Sequence, residues 1–380
     1  MRIRRAYDCA LQGFATVDNV IISVRATLVL ALIRVIVQFG ASVATRVVLG
    51  SIISYQNRIN ALHSYSRHDE YTQALYIYSD RRCKAKDMTD FIAIHDHTHG
   101  FIGVDIGGTS TRVGFFQTLD TPAFMLAARF PTQQNYERQI QNIITAVYSC
   151  GIQEIAGIGV SIGGRIAQDG RSVIIAPNIP EYIGKPFAQD LSTQFGCPVH
   201  LAHDAVCGLL GEKKFGGIRT VDRCAYLTVS TGTGAAFQLQ KAGLALTASI
   251  EIGHQILDGN PLPCLCGQVG CLETFTGGRQ LELRQGYSVA GMTDSAFWET
   301  FSAKLALGLI NLVQLTRVEA VTVSGAIALN NVFLLPLLQE KINKTLVGTT
   351  LRLSLAVLGE NAPIVGAALL LETPEGTILH

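Results

Sequence analysis

Charged residues are scarce in this 380-residue chain: Asp, Glu, Lys and Arg together make up 16% of it, whereas hydrophobic residues make up 48%. Neither sign of charge is in excess, since the formal net charge is only +1. The chain as a whole therefore lacks the basic surface that is typical of nucleic-acid-binding proteins. Its length and apolar content are sufficient for two domains with buried cores, and the composition favours a soluble α/β protein.

Long uncharged apolar runs are also lacking from the first 87 residues. Arg25, Arg34, Arg46 and Arg58 interrupt the apolar stretch there, which leaves each uncharged run shorter than the roughly 18 residues of a membrane span. A secretory signal fits poorly too, because the apolar part starts late and no small-residue cleavage site follows it. We therefore predict no membrane span and a cytoplasmic location.

Composition separates residues 1–87 from the rest of the chain, because they carry twelve Lys and Arg residues against six Asp and Glu residues. An amphipathic helix over residues 20–53, on a membrane surface or in a transit peptide, is one interpretation that stays open. A DNA-binding helix-turn-helix is not indicated, because no two short capped helices flank a glycine-containing turn. Met88 lies just ahead of the first motif, where a start codon would fall. Our main hypothesis is that residues 1–87 are translated upstream sequence without a selected fold.

Sulfur and imidazole side chains are concentrated in one short stretch. The sequence Cys264-Leu-Cys266-Gly-Gln-Val-Gly-Cys271 begins ten residues after His254. Zn²⁺ prefers thiolate and imidazole ligands, and four of them fill a tetrahedron without leaving a position for a catalytic water. We therefore predict a structural zinc site with four ligands: His254, Cys264, Cys266 and Cys271.

Two disulfides, or three buried thiols beside an unrelated histidine, are the alternative for this stretch. Its glycines favour the metal loop, because Gly267 and Gly270 permit the positive φ angles of a tight turn. The other six cysteines are scattered along the chain. We expect them to fill the core as small apolar residues: Cys9, Cys83, Cys150, Cys197, Cys207 and Cys224.

Glycine-rich turns interrupt three stretches of β-type sequence. Residues 101–116 predict a hairpin whose turn follows Asp105 and contains Gly107, Gly108 and Thr109. Backbone N–H groups and a hydroxyl at such a turn form a nest for phosphate oxygens, and Asp105 is placed to hold Mg²⁺ through water. For this hairpin alone, a plain Gly-Gly turn is an equally good interpretation.

A second hairpin over residues 225–237 makes that plain interpretation weaker, since its turn again consists of small residues: Ser230, Thr231, Gly232, Thr233 and Gly234. Two such hairpins suggest a duplicated ribonuclease-H-like half, with one phosphate clamp in each half. A third turn, Ser324-Gly325-Ala326, follows a predicted strand and precedes a predicted helix over residues 328–344. We assign Gly325 to the adenosine end of a nucleotide.

Taken in order, these motifs resemble the ROK family of bacterial sugar kinases and sugar-responsive repressors, within the actin/hexokinase/Hsp70 superfamily. The family pattern Cys-x-Cys-Gly-x-x-Gly-Cys-x-Glu is met in full from Cys264 to Glu273, and Glu-x-Gly-His from Glu251 to His254. The resemblance covers residues 102–371. It implies a two-lobed α/β fold of the actin-like ATPase type, with a structural zinc loop and an atypical N-terminal extension in front.

The domain boundaries that we expect follow from this resemblance. The N-terminal extension would occupy residues 1–95, and the smaller lobe residues 96–208 together with a C-terminal helix at about 362–373. The larger lobe would occupy residues 209–361 and carry the zinc loop, residues 254–271. We also expect a homodimer.

The resemblance further implies a sugar pocket in which Asp204 acts as general base on a sugar hydroxyl. On residue type alone, an Asp at this strand-to-helix junction is typical of a helix N-cap, and the two roles are compatible. The family usually has Asn where this chain has His203 and Val206, which puts one sugar contact in doubt. The residues implied in sugar binding are Gly163, Asn178, His203, Asp204, Glu251, His254 and Glu273.

The resemblance implies an ATP- and Mg²⁺-dependent hexose kinase of the glucokinase type, which phosphorylates the 6-hydroxyl of glucose or a related hexose. Fructose, allose or an N-acetylhexosamine are alternative substrates. A sugar-sensing transcriptional repressor is the alternative from another class, although no nucleic-acid partner is expected. The nucleotide contacts that we predict are Asp105, Gly107, Gly108, Thr109, Thr231, Gly232, Thr233, Gly234 and Gly325.

Overall fold

The computed structural model describes residues 99–176, 178–286, 288–374 and 376–380. The predictions for residues 1–87, including Cys9 and Cys83, and for the extension that ends at residue 95 lie outside this part of the chain. The described residues belong to one compact unit, Ile94–His380. None of its described helices is both long and apolar enough to cross a bilayer.

The first sheet begins with the hairpin that the Gly-Gly turn predicts. Its strands are β1 (His99–Ile106), β2 (Ser110–Phe116), β3 (Met125–Pro131), β4 (Glu154–Ile162) and β7 (Val199–His203), in the spatial order β3-β2-β1-β4-β7. Strands β1 to β3 are antiparallel, whereas β4 and β7 run parallel to β1. A small separate hairpin is formed by β5 (Arg165–Ile166) and β6 (Val173–Ile175).

Helices cover this sheet where apolar residues recur at helical spacing. Helix α1 (Tyr136–Ser149) begins at Asn135, whose side chain accepts a hydrogen bond from the backbone of Arg138. Its buried Ile140, Ile143 and Val147 lie on one face, which packs into the core of the first sheet. The other helices of this part are α2 (Phe187–Phe195), the 3₁₀ turn Pro180–Tyr182 and α3 (Asp204–Phe215).

Five strands of the second sheet repeat the arrangement of the first. The strands of this sheet are β8 (Arg223–Val229), β9 (Thr233–Lys241), β10 (Leu244–Ile250), β11 (Ala320–Ser324), β12 (Arg352–Leu355) and β13 (Ile378–Leu379), in the order β12-β11-β8-β9-β10-β13. The places of β3, β2, β1, β4 and β7 are taken by β10, β9, β8, β11 and β12, and one further strand, β13, lies at the edge next to β10. Strands β8 to β10 again form an antiparallel meander, and β11 and β12 run parallel to β8. This recurrence agrees with the duplicated half that two glycine-rich hairpins suggest.

The helices of the second part are α4 (Glu273–Thr276), α5 (Gly278–Gln285), α6 (Ser295–Thr316), α7 (Ala326–Asn330), α8 (Leu334–Thr345) and α9 (Ala362–Leu369), with 3₁₀ turns Ile252–His254, Gly359–Asn361 and Leu370–Glu372. Helices α6 and α8 pack on the second sheet. The single helix predicted over residues 328–344 is wrong, because α7 and α8 are separate. The side chain of Asn331 donates to the carbonyl of Ile327, 2.8 Å away, and this local bond competes with helix continuation.

Helix α9 returns from the second sheet and lies against both α3 and the first sheet. Two glycines permit this contact. A Cβ atom at Gly366 would lie 1.6 Å from the carbonyl oxygen of Cys207, and one at Gly159 would lie 1.7 Å from that of Ala367. At the other end of α3, the buried Glu212 accepts from the backbone N–H of Leu358, 2.7 Å away. Helix α3 is therefore fixed to segments that enter both sheets.

Replacing Gly366 with alanine should destabilise the fold, because the added methyl group must push α9 away from α3. We expect a cost of about 1–3 kcal/mol and a fall of at least about 2–4 °C in the unfolding midpoint, measured by calorimetry. Gly217→Ala is the matched control, since the nearest atom to its added Cβ would be 3.6 Å away. An unchanged midpoint for Gly366→Ala would contradict the close helix crossing.

Candidate active site

A cleft of about 1100 Å³ lies between residues of the first and second sheets, and most of the predicted site residues line it. A second cavity of about 790 Å³ adjoins it and takes in Thr109. Cys264 and Cys271 are buried beside the cleft. The predicted residues that line the larger cleft are Asp105, Gly107, Gly108, Gly163, Asn178, His203, Asp204, Thr231, Gly232, Thr233, Gly234, Glu251, His254, Cys266, Glu273 and Gly325.

The two predicted phosphate turns open into this cleft from opposite sheets. The first is closed by a hydrogen bond from the N–H of Gly107 to the carbonyl of Ser110, 3.0 Å away, and the second by one from Ser230 to Gly232, 2.9 Å away. Between the turns, a group held by backbone N–H donors on both sides would be surrounded by positive dipole ends. The structure thus brings together two turns that are far apart in sequence.

Asp105 lies at the start of the first turn, and its carboxylate accepts more hydrogen bonds than the sequence predicts. Its Oδ2 accepts from Nε and Nη2 of Arg112, at 3.2 and 2.8 Å, and its Oδ1 accepts from the hydroxyl of Ser161 at 2.8 Å. Arg112 also donates to the side chain of Asn361 and to the carbonyl of Glu360. Three of the roughly four acceptor positions of the carboxylate are therefore occupied, and one remains for a water.

Asp204 and His203 share the junction between β7 and α3. The structure corrects the N-cap prediction: His203 is the cap, because its Nδ1 accepts from the N–H of Ala205 at 3.2 Å, and Asp204 is the first helical residue. The same Nδ1 lies 3.0 Å from Oδ1 of Asp204. A nitrogen that accepts from Ala205 carries no proton for Asp204, and in that tautomer Oδ1 is buried without a hydrogen-bond partner.

Charge couples these two side chains. Burial disfavours the imidazolium of His203, but the carboxylates of Asp204 and Glu251 outweigh it and raise the pKa of His203 above 6.5. Burial also disfavours ionised Asp204, but the charge and hydrogen bond of His203 outweigh it and lower the pKa of Asp204. Asp204 is therefore ionised near neutral pH, and the protonation of His203 decides whether its Oδ1 is free.

Glu273 connects the cysteine-rich loop to the second phosphate turn. It is the first residue of α4, two residues after Cys271, and its Oε2 accepts from the N–H of Thr233 at 2.8 Å. The hydroxyl of Thr233 is 2.8 Å from that of Thr276 on the same helix. Helix α5 then holds the turn from the other side, because the N–H groups of Gly278 and Arg279 donate to the carbonyls of Ser230 and Thr231.

The cysteine-rich loop brings four ligand atoms to within 4.8 Å of one another. Sγ of Cys266 lies 3.6 Å from that of Cys271, and Sγ of Cys264 lies 3.7 Å from Nδ1 of His254. A zinc tetrahedron with bonds of about 2.3 Å to sulfur and 2.0 Å to nitrogen has edges of about 3.5–3.8 Å, so these residues fit the ion.

Backbone geometry within the loop agrees with the prediction, since Gly267 and Gly270 adopt φ angles of 92° and 94°. The seven cysteines in the described part of the chain are all free thiols, so the disulfide alternative finds no support there. Those outside the loop are buried, as predicted for core-filling residues: Cys150, Cys197, Cys207 and Cys224.

The sequence pattern of a known family extends across this whole arrangement, matching residues 101–373. The chain belongs to the ROK family.

Among ROK proteins, the chain is similar to the glucokinase of Thermotoga maritima, at 31% identity over 194 residues, which cover 49% of this chain and 60% of the relative. It is also similar to the xylose repressor of Caldicellulosiruptor bescii, at 33% identity over 129 residues, which cover 33% of this chain and 32% of the relative. The matches thus span between about a third and three-fifths of these two curated relatives.

The ROK fold is shared with a solved ROK family glucokinase from Streptomyces griseus in complex with glucose and AMPPNP. The TM-score is 0.60 at 24% identity, over 71% of this chain and 98% of that chain. The similarity therefore establishes a common α/β fold.

The sequence analysis did not predict the roles of two arginines in this ROK protein, although the position of one of them could have been inferred from the sequence. Arg112 lies directly opposite Asp105 in the register of β1 and β2, and a cross-strand pair of opposite charge follows from the predicted hairpin turn. Arg279 had no such signal, because it lies on helix α5 and contacts Asn178, which is 101 positions away in the sequence.

The pH dependence of this ROK protein should report His203. Below the raised pKa, the imidazolium donates to Asp204 and occupies the base; above it, Nδ1 accepts from Ala205 and Oδ1 is free. We expect turnover at pH 6 to be below about a quarter of that at pH 8. In His203→Asn, which restores the residue usual in the family, the two rates should be nearly equal. A wild-type profile that is flat over this range would contradict the coupling.

Proposed function

We propose that the protein is an ATP-dependent hexose kinase that phosphorylates a sugar hydroxyl, with the 6-hydroxyl of glucose or a related hexose as the first candidate. The observation that carries the proposal is the carboxylate of Asp204. It lies in the cleft with both phosphate turns, and its Oδ1 is buried without a partner when Nδ1 of His203 accepts from Ala205. A buried, unpartnered carboxylate oxygen is suited to take a proton from a bound hydroxyl.

In the proposed reaction, Asp204 removes the proton of the sugar hydroxyl as the hydroxyl oxygen bonds to the γ-phosphorus of ATP. The bond between that phosphorus and the β-phosphate oxygen breaks, and ADP leaves. The turns at Gly107 and Gly232 would hold the phosphates through backbone N–H groups, and Gly325 would lie at the adenosine end. Catalysis of this kind consists mainly of positioning and charge neutralisation.

The sugar would be held by donors and acceptors at the rim of the cleft: Gly163, Asn178, His203, Glu251, His254 and Glu273. Zn²⁺ in the site formed by His254 and the three loop cysteines would have a structural role, because all four positions are filled by the protein. Mg²⁺ would neutralise charge on the nucleotide phosphates, and Asp105 would reach it through a water at its one remaining acceptor position.

An ADP-release assay with a panel of sugars tests the proposal. Glucose, fructose, allose, mannose, N-acetylmannosamine and N-acetylglucosamine should be presented with ATP and Mg²⁺, alongside other phosphoryl donors. At least one hexose should stimulate ADP release in the wild-type protein and fail to do so in Asp204→Asn. The absence of sugar-dependent ADP release across the panel would rule the kinase out.

A sugar-sensing transcriptional repressor is the second candidate, favoured by the similarity to a xylose repressor. Such a protein would bind sugar in the same cleft without releasing ADP. Gel-shift measurements over a range of salt concentrations separate the two, since phosphate contacts make DNA affinity fall steeply with salt. The unengaged oxygen of Asp204 and the paired phosphate turns favour the kinase, because a sensor needs neither.

A further inference from the structure

Seven residues line both the large cleft and the adjoining cavity, and both predicted phosphate turns contribute to them. Among these described residues, Arg279 is the only one with a charged side chain. The seven are Gly108, Asn178, Ser230, Thr231, Arg279, Ala326 and Asn330. Six uncharged residues offer no cation to the charge that develops on a transferred phosphoryl group.

The backbone places Arg279 directly at the second phosphate turn. It is the second residue of α5, and its N–H donates to the carbonyl of Thr231 at 2.9 Å. From there its exposed side chain extends to Asn178, where Nη1 contacts the side-chain oxygen. Asn178 in turn lies over the first phosphate turn, since a Cβ at Gly108 would be 3.8 Å from its Nδ2. The guanidinium thus lies between the two turns.

The other arginines of the large cleft are either paired with carboxylates or do not belong to the seven shared residues. Arg112 is bound to Asp105, Asn361 and the carbonyl of Glu360, and Arg129 pairs with the carboxylate of Glu360. Arg165 lines the larger cleft but is not one of the seven residues that both cavities share. Arg279 is held instead by a neutral amide, a partner that the negatively charged oxygens of a phosphoryl group would readily replace.

We propose that Arg279 is a further catalytic residue, which leaves Asn178 when both substrates are bound and donates to the phosphoryl group in transfer. This inference rests on the proposed kinase function. The N–H donors of the rigid, planar guanidinium match phosphate oxygens in a bidentate way, and a lysine at the same position would supply only a point charge. The contact strengthens as negative charge spreads over the equatorial oxygens, so it acts mainly on turnover.

Steady-state kinetics of three variants test the assignment, with ATP, Mg²⁺ and whichever sugar the panel identifies as a substrate. Arg279→Gln should lower kcat by about 10²–10³-fold while the sugar KM changes less than about threefold. Arg279→Lys should recover part of the loss. Arg352→Gln is the matched control, because Arg352 is an exposed residue of the second sheet that lines neither part of the cleft.

A second readout distinguishes catalysis from a structural effect. ADP, aluminium fluoride and the sugar together mimic the transition state of phosphoryl transfer. The affinity of the protein for this combination should therefore fall in Arg279→Gln by a factor close to the fall in kcat. Affinity for ADP alone should change little. Full kcat in Arg279→Gln, or an effect confined to the sugar KM, would overturn the role of Arg279 alone. A wild-type protein that releases no ADP with any sugar overturns the kinase function itself, before any variant is compared.

Discussion

Asp204→Asn should lower kcat by about 10²–10⁴-fold while sugar binding stays nearly intact, because the amide keeps the shape of the carboxylate but cannot accept a proton. The expected loss is large because Oδ1 of Asp204 is the buried oxygen left free by His203. Turnover is measured by ADP release and sugar affinity by calorimetry. The variant should also lose the acid limb of the pH profile, since that limb reports His203 acting on a carboxylate.

Asp222→Asn provides the control for this substitution, because Asp222 is exposed and lies in neither part of the cleft. Its kinetics should match those of the wild-type protein. If Asp204→Asn instead lost sugar affinity and turnover by the same factor, Asp204 would be a binding residue and the proton acceptor would have to be sought elsewhere.

Cys266→Ser should abolish stoichiometric zinc binding and weaken sugar affinity by at least about tenfold, through disorder of the loop rather than lost chemistry. Cys266 is the informative ligand because it is exposed, whereas Cys271 is fully buried and its replacement would also disturb packing. Metal content is measured by elemental analysis, which should give about one zinc per wild-type chain. Nucleotide affinity should change little, because Gly278 and Arg279 hold the second phosphate turn independently.

Val269→Ser is the matched control, since Val269 belongs to the same loop, is 55% exposed and offers no metal ligand. It should retain zinc and sugar affinity. A wild-type protein without metal, or a Cys266→Ser variant with full sugar affinity, would show that the loop is rigid without the ion.

The sequence predicted those parts of the structure that are determined locally. Each hairpin turn around Gly107 and Gly232 is specified by residues within a few positions, and the spacing of Cys264, Cys266 and Cys271 limits what the loop can hold. The interrupted helix after Gly325 was not predicted, although the Asn330-Asn331 pair that breaks it is also local. Two adjacent asparagines within an apolar segment were a weaker signal than the apolar periodicity around them.

Contacts between distant segments account for the remaining differences. Arg279 meets Asn178 across 101 positions, and Arg112 meets Asn361 across 249. Nothing in either local sequence indicates these partners. The capping role of His203 was missed for another reason: residue statistics favour Asp as a cap, but the side chain of Asp204 faces the cleft. The roles of the site residues, the lobe boundaries and the homodimer stay predictions.

The bond between Glu273 and the N–H of Thr233 bears on how substrate range can change in this protein. If Glu273 contacts sugar as proposed, one carboxylate serves the sugar pocket and a phosphate turn at once, so exchanging it would alter recognition of both substrates together. The polar contacts that the structure describes for the His203 side chain are with Asp204 and Ala205 rather than with a backbone N–H of a phosphate turn. In evolution toward a new sugar, or in a library selected for one, substitutions should therefore accumulate at His203, whereas Glu273 should stay unchanged.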